Sequence, residues 1–422
     1  MGLLRFLQRL FLGPPASTSH TPVRGSVREV PRRRPRLVPL HSSTGDRART
    51  PVIQSDERPY RFARFSCLQV HRGYLDFSTD GDNARLAEFD LPRFHTPEQL
   101  ADWLSLPLGQ LAWLIYRFSE GQRPQDLRSA HYHIRWMKKR GGGWRLIESP
   151  KACLKSAQTQ ILEELLDCIP AHNNAHGFVP GRSIVSNAEP HVGNRVLVKL
   201  DLENFYPSVT FSRVTAIFRG VGYSREAALW LAHLTTSPLP PTLAFPDRDS
   251  SAILPYLRRH LPQGAPTSPA LANLSAFSLD VRLSGMADAF GARYTRYADD
   301  LTFSGSQRFL RSLRVFLPLV RQIISSERFR LNRRKLRIIR DNQRQTVTGV
   351  VVNDRVNVSR ADYDRLKAIL HNCARSGPAS QNREGHENFA SHLRGKIAHV
   401  TQLNPDRGAK LLAMYDRVDW SK

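Results

Sequence analysis

Apolar residues recur at helical spacing between Pro97 and Phe118, where Leu100, Trp103, Leu104, Leu108, Leu111, Trp113, Leu114 and Ile115 form two runs separated by Pro107. The segments HYHIRWMKK and WRLIESP then read as two strands, with Gly141-Gly142-Gly143 between them as a hairpin signal. Between Lys155 and Ile169 the spacing of Ile161, Leu162, Leu165, Leu166 and Ile169 predicts one helix with a single apolar face. The central region alternates strands and helices. RVLVKLDL is a β-rich run carrying Asp201 at its end, and REAALWLAHL is helical. In TSPALANLSAFSLDVRL, Ser268 is placed as N-cap and Pro269 at the first helical position, with Ala270, Leu274, Phe277 and Val281 on one face. RYTRYADDLTFSG predicts strand, turn and strand, with Asp299 and Asp300 at the tip. LRIIR and TVTGVVV read as strands, and VVNDRVNV as a hairpin turning at Asn353-Asp354. From Ser359 onward the chain is helical and basic.

Charge adds a partner class to this picture. The 422 residues hold 62 Lys+Arg against 37 Asp+Glu, a net charge of +25, which favours a polyanion such as nucleic acid. About a third of the excess lies at the start: residues 1–50 carry ten arginines and two acids, a basic tail expected to be disordered. Residues 51–130 form an extension, mostly helical, without a chemical signal. No apolar run is long enough to span a bilayer, so a membrane partner is not expected. The cysteines Cys67, Cys153, Cys168 and Cys373 form no C-x-x-C pair, which fits a reducing cytoplasm.

The candidate chemistry is carboxylate chemistry. An acid ending an apolar strand is costly to bury unpaired, so Asp201 asks for a partner. If its strand neighbours the Asp299-Asp300 turn, three carboxylates converge on a site whose hard oxygen ligands suit Mg²⁺, with Mn²⁺ as the alternative. Two such ions fit phosphoryl transfer, in which an attacking hydroxyl and a leaving pyrophosphate both need neutralisation. Lys138, Lys139 and Arg145 flank the glycine hairpin as candidate triphosphate ligands. Gln263 and Gly264 sit in LPQGAPTSP, a loop suited to hold a nucleotide. Lys335, in RKLRIIR, is a candidate proton donor to pyrophosphate.

The ordered set VKLDLENFYPSV, LPQGAPTSP, RYADD, LNRRKL and VTGVVVN resembles the palm of a reverse transcriptase, and RWMKKRGGGWRLIESPKACLKSAQTQIL resembles that family's fingers. The resemblance implies an α+β right-hand polymerase fold, with fingers and palm over 131–355 and a small helical thumb over 356–422. It implies Asp201, Asp299, Asp300 and the Leu202 carbonyl as metal ligands, and Tyr206 as the steric gate under the sugar. Gln263 and Gly264 would line the nucleotide pocket. Lys138 and Arg145 would meet the triphosphate, with Lys139 as an equal alternative to Lys138. The VTGVVVN strand, with Val347, Thr348 and Gly349, would lie at the primer grip.

Asn187-Ala188-x-x-His191 ahead of the first palm acid, together with Val347-Thr348-Gly349, resembles bacterial retron reverse transcriptases. That resemblance implies RNA- or primer-binding roles for Asn187 and His191, and a basic thumb in which Arg394 and Lys396 hold an RNA stem. The implied partners are a structured noncoding RNA, its DNA copy, dNTPs and an effector protein. The implied product is a branched RNA-linked single-stranded DNA made in antiphage defence. The readings weighed against it are another bacterial reverse transcriptase, of group II intron, diversity-generating or abortive-infection type, and a catalytically silent RNA-binding scaffold. About seventy residues follow the VTG strand, too few for a thumb and a folded RNase H domain. The Pro-rich stretch 237–256 departs from the family pattern and receives no role.

Overall fold

The structure is a computed structural model that describes residues 52–53, 65, 69–70, 73–139, 142–246 and 250–420. The basic tail, Cys67 and Gly141 lie outside the described residues. Strands β1 (Val52–Ile53), β2 (Gln69–Val70) and β3 (Gly73–Leu75) form a small antiparallel sheet in the order β1-β3-β2. Three short helices follow: α1 (Asn83–Glu88), α2 (Pro97–Trp103) and α3 (Leu108–Leu114). A capping box of Thr96 and Gln99 starts α2, and Pro107 separates it from α3, as the spacing predicts.

β4 (Tyr132–Lys138) and β5 (Trp144–Pro150) pair in register along their full length. The helix after them departs from expectation. α4 (Ala152–Ile161) passes into a π-turn at Leu162–Leu166, whose wider winding lets the adjacent Leu165 and Leu166 both be buried.

A capping box at Ser183 opens α5 (Ile184–Ala188), which leads to β6 (Val196–Asp201). Helices α6 (Phe211–Gly220), α7 (Arg225–Thr235), α8 (Ser268–Ser275) and α9 (Phe277–Ala289) come next. The single helix expected over 268–283 is thus two, interrupted at Ala276. The N-cap position falls on Thr267 rather than Ser268, and Val281 is 48% exposed, not part of the apolar face.

β7 (Ala292–Tyr297), β8 (Asp300–Gly305) and β9 (Arg337–Arg340) complete an antiparallel sheet of order β7-β8-β6-β9, with α10 (Gln307–Ser326) packed against it. The expected strand TVTGVVV is a hairpin. β10 (Thr346–Val347) and β11 (Val350–Val351) are joined by Thr348 and Gly349, both with positive φ (47° and 86°), as a type I′ turn requires. Helices α11 (Arg360–Ser376), α12 (Phe389–Leu403) and α13 (Pro405–Tyr415) end the described chain.

Two cores divide the two faces of β6. Val196, Val198 and Leu200 pack with Phe303, Phe309 and Phe316 in the main core, which also takes in Leu86, Phe94 and Leu100. Leu197 points the other way, into a second core with Val347, Val350, Leu366, Leu393 and Leu411. Asp201 continues that second face. Apolar packing therefore fixes which side of the sheet carries the acid.

Candidate active site

The acids converge through strand register. Asp201 on β6 is paired directly with Asp300 on β8, and Asp299 lies in the intervening β7–β8 turn. The turn's carbonyl at Asp299 accepts from the Leu202 N–H at 2.9 Å, which ties it to the end of β6. All three acids line a cleft of about 1280 Å³ together with Leu202, Tyr206, Gln263 and Lys335. Asp201 is 5% exposed, and both its oxygens are engaged: Lys335 Nζ donates to Oδ2 at 2.6 Å and Asn332 Nδ2 to Oδ1 at 3.2 Å. Burial, then the charges of Asp201 and Asp300, push the Asp299 carboxyl up to about 6.

That crowding is the fit test for a cation. Three carboxylates raise one another's energy, and a divalent ion would relieve it. Among the described residues no group of three or more His, Cys, Asp or Glu is assembled as a metal site, and Asp201 is ion-paired with Lys335. The donor set, all oxygen, suits a hard ion. Lys335, expected as a proton donor to pyrophosphate, is ion-paired with Asp201. Burial would lower its pKa, yet the hydrogen bond and charge of Asp201 raise it.

Behind the turn stands a fully buried support. Arg296 donates to both oxygens of Asp280, at 2.7 and 2.6 Å, to Asn273 Oδ1 at 2.8 Å, and to the Ala298 carbonyl at 3.1 Å. Asn273 also donates to the Gly177 carbonyl at 2.8 Å. A side chain at Gly177 would lie 2.7 Å from the Ala298 nitrogen, so glycine is what lets this loop approach the turn. Ala298 itself holds a φ of 53°. The Asp299 backbone is thus held on two sides.

The opposite wall is cationic. Lys139 and Arg145 line the cleft, whereas Lys138 does not; it pairs with Trp144 inside the hairpin. Of the two lysine registers, the structure places Lys139 at the cleft. Gln263 lines it too and fixes the hairpin, its carbonyl accepting from the Glu148 N–H at 2.9 Å. Gly264 is not part of the lining. It has a φ of 130°, and an added Cβ would come within 3.1 Å of the Glu148 carbonyl, so it serves the junction between loop and hairpin. Tyr206 is half-buried in the cleft, and burial together with Asp299 holds its phenol up at about 12, hence neutral.

Asn187 and His191 are placed differently from expectation. His191 is fully buried, with its ring nitrogens 2.7 Å from Ser304 Oγ and 2.8 Å from Thr295 Oγ1. Asn187 is 1% exposed and contacts Thr348 Oγ1 at 3.4 Å. Both staple the chain before β6 onto the sheet, and neither presents a surface to RNA. Val347 is buried in the second core, leaving Thr348 half-buried and Gly349 exposed at the hairpin turn. Arg394 and Lys396 are exposed on α12, away from its buried Leu393 and Ile397.

Several cleft residues carry no signal that singles them out in the sequence. Asn332, in LNRRKL, holds Asp201, and Arg330, Arg333 and Arg334 extend the basic rim. Phe178 lines the cleft, 56% exposed, on a left-handed backbone of φ 58° beside Tyr297. Only the surrounding GFVPGR turn signal marks it.

Comparison with known proteins places this geometry. The reverse transcriptase (RNA-dependent DNA polymerase) family matches residues 137–352. The Retron Mx65 reverse transcriptase of Myxococcus xanthus is 42% identical over 78% of this chain and 73% of its own length. The Retron Mx162 reverse transcriptase of the same organism is 35% identical, over 83% and 75%. The Retron Ec86 reverse transcriptase of Escherichia coli is 30% identical, over 79% of this chain and 93% of that one. With its acids at the end of an antiparallel sheet, in a cleft faced by a basic hairpin, the chain belongs to the retron reverse transcriptases and is an RNA-directed DNA polymerase of right-hand fold.

Proposed function

We propose that this polymerase copies a structured noncoding RNA into single-stranded DNA that stays joined to the RNA as a branch, in antiphage defence in the cytoplasm, with an effector protein as a further partner. The observation that carries the chemical half is the convergence of Asp201, Asp299 and Asp300 opposite Lys139 and Arg145 in one cleft. Reverse transcriptases use divalent metal ions. Two ions, Mg²⁺ or alternatively Mn²⁺, held by the three acids and the Leu202 carbonyl would supply activation of the primer hydroxyl and neutralisation of the pyrophosphate.

The chain's own groups do the rest. Lys139 and Arg145 hold the triphosphate of the incoming dNTP, and Gln263 orients it from the loop side. The neutral ring of Tyr206 fills the floor where a ribose 2′-OH would project. Lys335 and Asn332 keep Asp201 aimed into the cleft until substrate arrives. Arg394 and Lys396 grip an RNA stem by charge, while Thr348 and Gly349 turn toward the primer. In this division residues 1–50 are a tail, 51–130 an extension, 131–355 fingers and palm, and 356–422 the thumb.

The test is a product assay. The gene is expressed with its upstream noncoding region, total nucleic acid is treated with RNase, and a discrete short single-stranded DNA bearing a 2′-linked ribonucleotide is sought. That band is expected, and it disappears in Asp299→Ala. Primer extension on an added RNA without such a band would remove the branched-product reading and leave the polymerase.

A further inference from the structure

The described residues of the Pro-rich stretch, 237–246 and 250–256, reach the wall of the cleft at Tyr256. They pack on the β4–β5 hairpin. Trp136 of β4 donates its indole N–H to the Ala244 carbonyl at 3.0 Å and meets Phe245 and Tyr256 edge-on, at 4.8 and 5.7 Å. Tyr256 is 6% exposed and shares a small separate core with Leu146 and Leu239. It also lines the catalytic cleft, alongside Arg145 and Gln263. Leu146, its neighbour in that core, is the residue next to Arg145. Four residues further on, His260 pairs with Glu148 of the same strand at 2.9 Å, both fully buried.

A two-stranded hairpin on its own is marginally stable and sways. Arg145 lies on such a hairpin, exposed, and among the described residues the strand it occupies has β4 as its only strand partner. Besides the Gln263 and His260 contacts to Glu148, the hairpin is backed by the layer formed by Trp136, Tyr256 and the chain around Ala244. Tyr256 touches that layer on one side and the cleft on the other.

We propose that Tyr256 is a positioning residue for the incoming nucleoside triphosphate, and that Tyr256 with the chain at Ala244 and Phe245 is the brace of the hairpin that meets it. With Trp136 it holds β5 at a fixed distance from the Gln263 loop, so that the Arg145 guanidinium and the loop meet the same nucleotide together. The proposal rests on the reading that Arg145 and Gln263 face that nucleotide.

Extension of oligo(dT) on poly(rA) by the full chain separates the possibilities, with KM measured for dTTP and for the template–primer. Tyr256→Ala is expected to raise the dTTP KM about tenfold and leave the template–primer KM within about twofold, because misplaced contacts weaken only the ligand they position. Tyr256→Phe, which keeps the ring, restores most of the loss. Trp136→Phe removes the indole donor and trims the ring that meets Tyr256, and raises the dTTP KM about threefold; it carries the same test if Tyr256→Ala does not fold. An unchanged dTTP KM in Tyr256→Ala overturns the brace, as does an equal loss toward both substrates, which would make Tyr256 a packing residue only. Arg145→Ala separates the brace from the nucleotide assignment beneath it. If it too leaves the dTTP KM unchanged, the nucleotide assignment fails. If it raises that KM while Tyr256→Ala does not, the brace alone fails.

Discussion

Asp201 and Asp300 stand directly opposite each other across the antiparallel strands β6 and β8, two like charges where a sheet ordinarily pairs opposite or apolar ones. The site is therefore built against local stability. Asp300→Asn is expected to stabilise the metal-free protein by about 0.5–1 kcal/mol while lowering nucleotide incorporation. Asp299→Ala should abolish incorporation, by about a thousandfold or more, with the fold intact. Thermal unfolding in chelator and primer extension check both; a less stable Asp300→Asn protein would contradict the assignment of strain to this pair.

Tyr206 offers a second test. Its ring is half-buried, packs beside Phe205 at 5.6 Å and forms part of the cleft floor. Tyr206→Ala opens that floor, and discrimination against ribonucleotides should drop by about tenfold to a hundredfold, with dNTP incorporation reduced less. Competition between dGTP and GTP in single-nucleotide extension gives the ratio directly.

Gly264 links backbone geometry to nucleotide affinity. Its φ of 130°, and the Glu148 carbonyl oxygen only 3.1 Å from where a Cβ would stand, make an alanine here strained and crowded. Gly264→Ala should cost about 1–3 kcal/mol of stability. It should also weaken dNTP binding more than RNA binding, because the strained loop lets go of β5. Urea unfolding and filter binding separate the two effects.

His191 sets an acid limit. Burial, and next the neighbouring His176, lower its pKa to about 3, whereas the unfolded chain protonates near the ordinary value of 6.5. Between those values the unfolded state binds more protons, so this stability is complete above about pH 6.5 and is lost as pH falls toward 3, at up to about 1.4 kcal/mol per pH unit. His191→Gln should flatten the dependence. Unfolding free energies at pH 5 and pH 7.5 would show the wild-type gap narrowing in the variant; an unchanged gap would mean His191 is not the group that titrates.

The parts of the fold that local pattern encodes are legible in the sequence. The apolar run ending in Asp201 and the two aspartates at a strand turn sit where the sequence puts them, because a short β-branched and apolar run buried on both faces is a property of neighbouring residues. The fate of His191 is not legible, since its partners Thr295 and Ser304 lie more than a hundred residues away. A polar residue in a motif reads as a ligand until its hydroxyl partners are known. The adjacent Leu165 and Leu166 satisfy an α-helix or a π-turn equally well by spacing, and only packing chooses the latter. For Lys138 and Lys139 the choice turns on where β4 stops, which no side-chain type announces.

The strand β6 has Val198 in the main core, Leu197 in the core of the C-terminal helices, and Asp201 at its end. One six-residue strand is thus common to both hydrophobic clusters. Loosening the packing of α11–α13 at Leu197 therefore disturbs the strand that ends in Asp201, so the order of the C-terminal helices and the placement of that carboxylate are set by the same few residues.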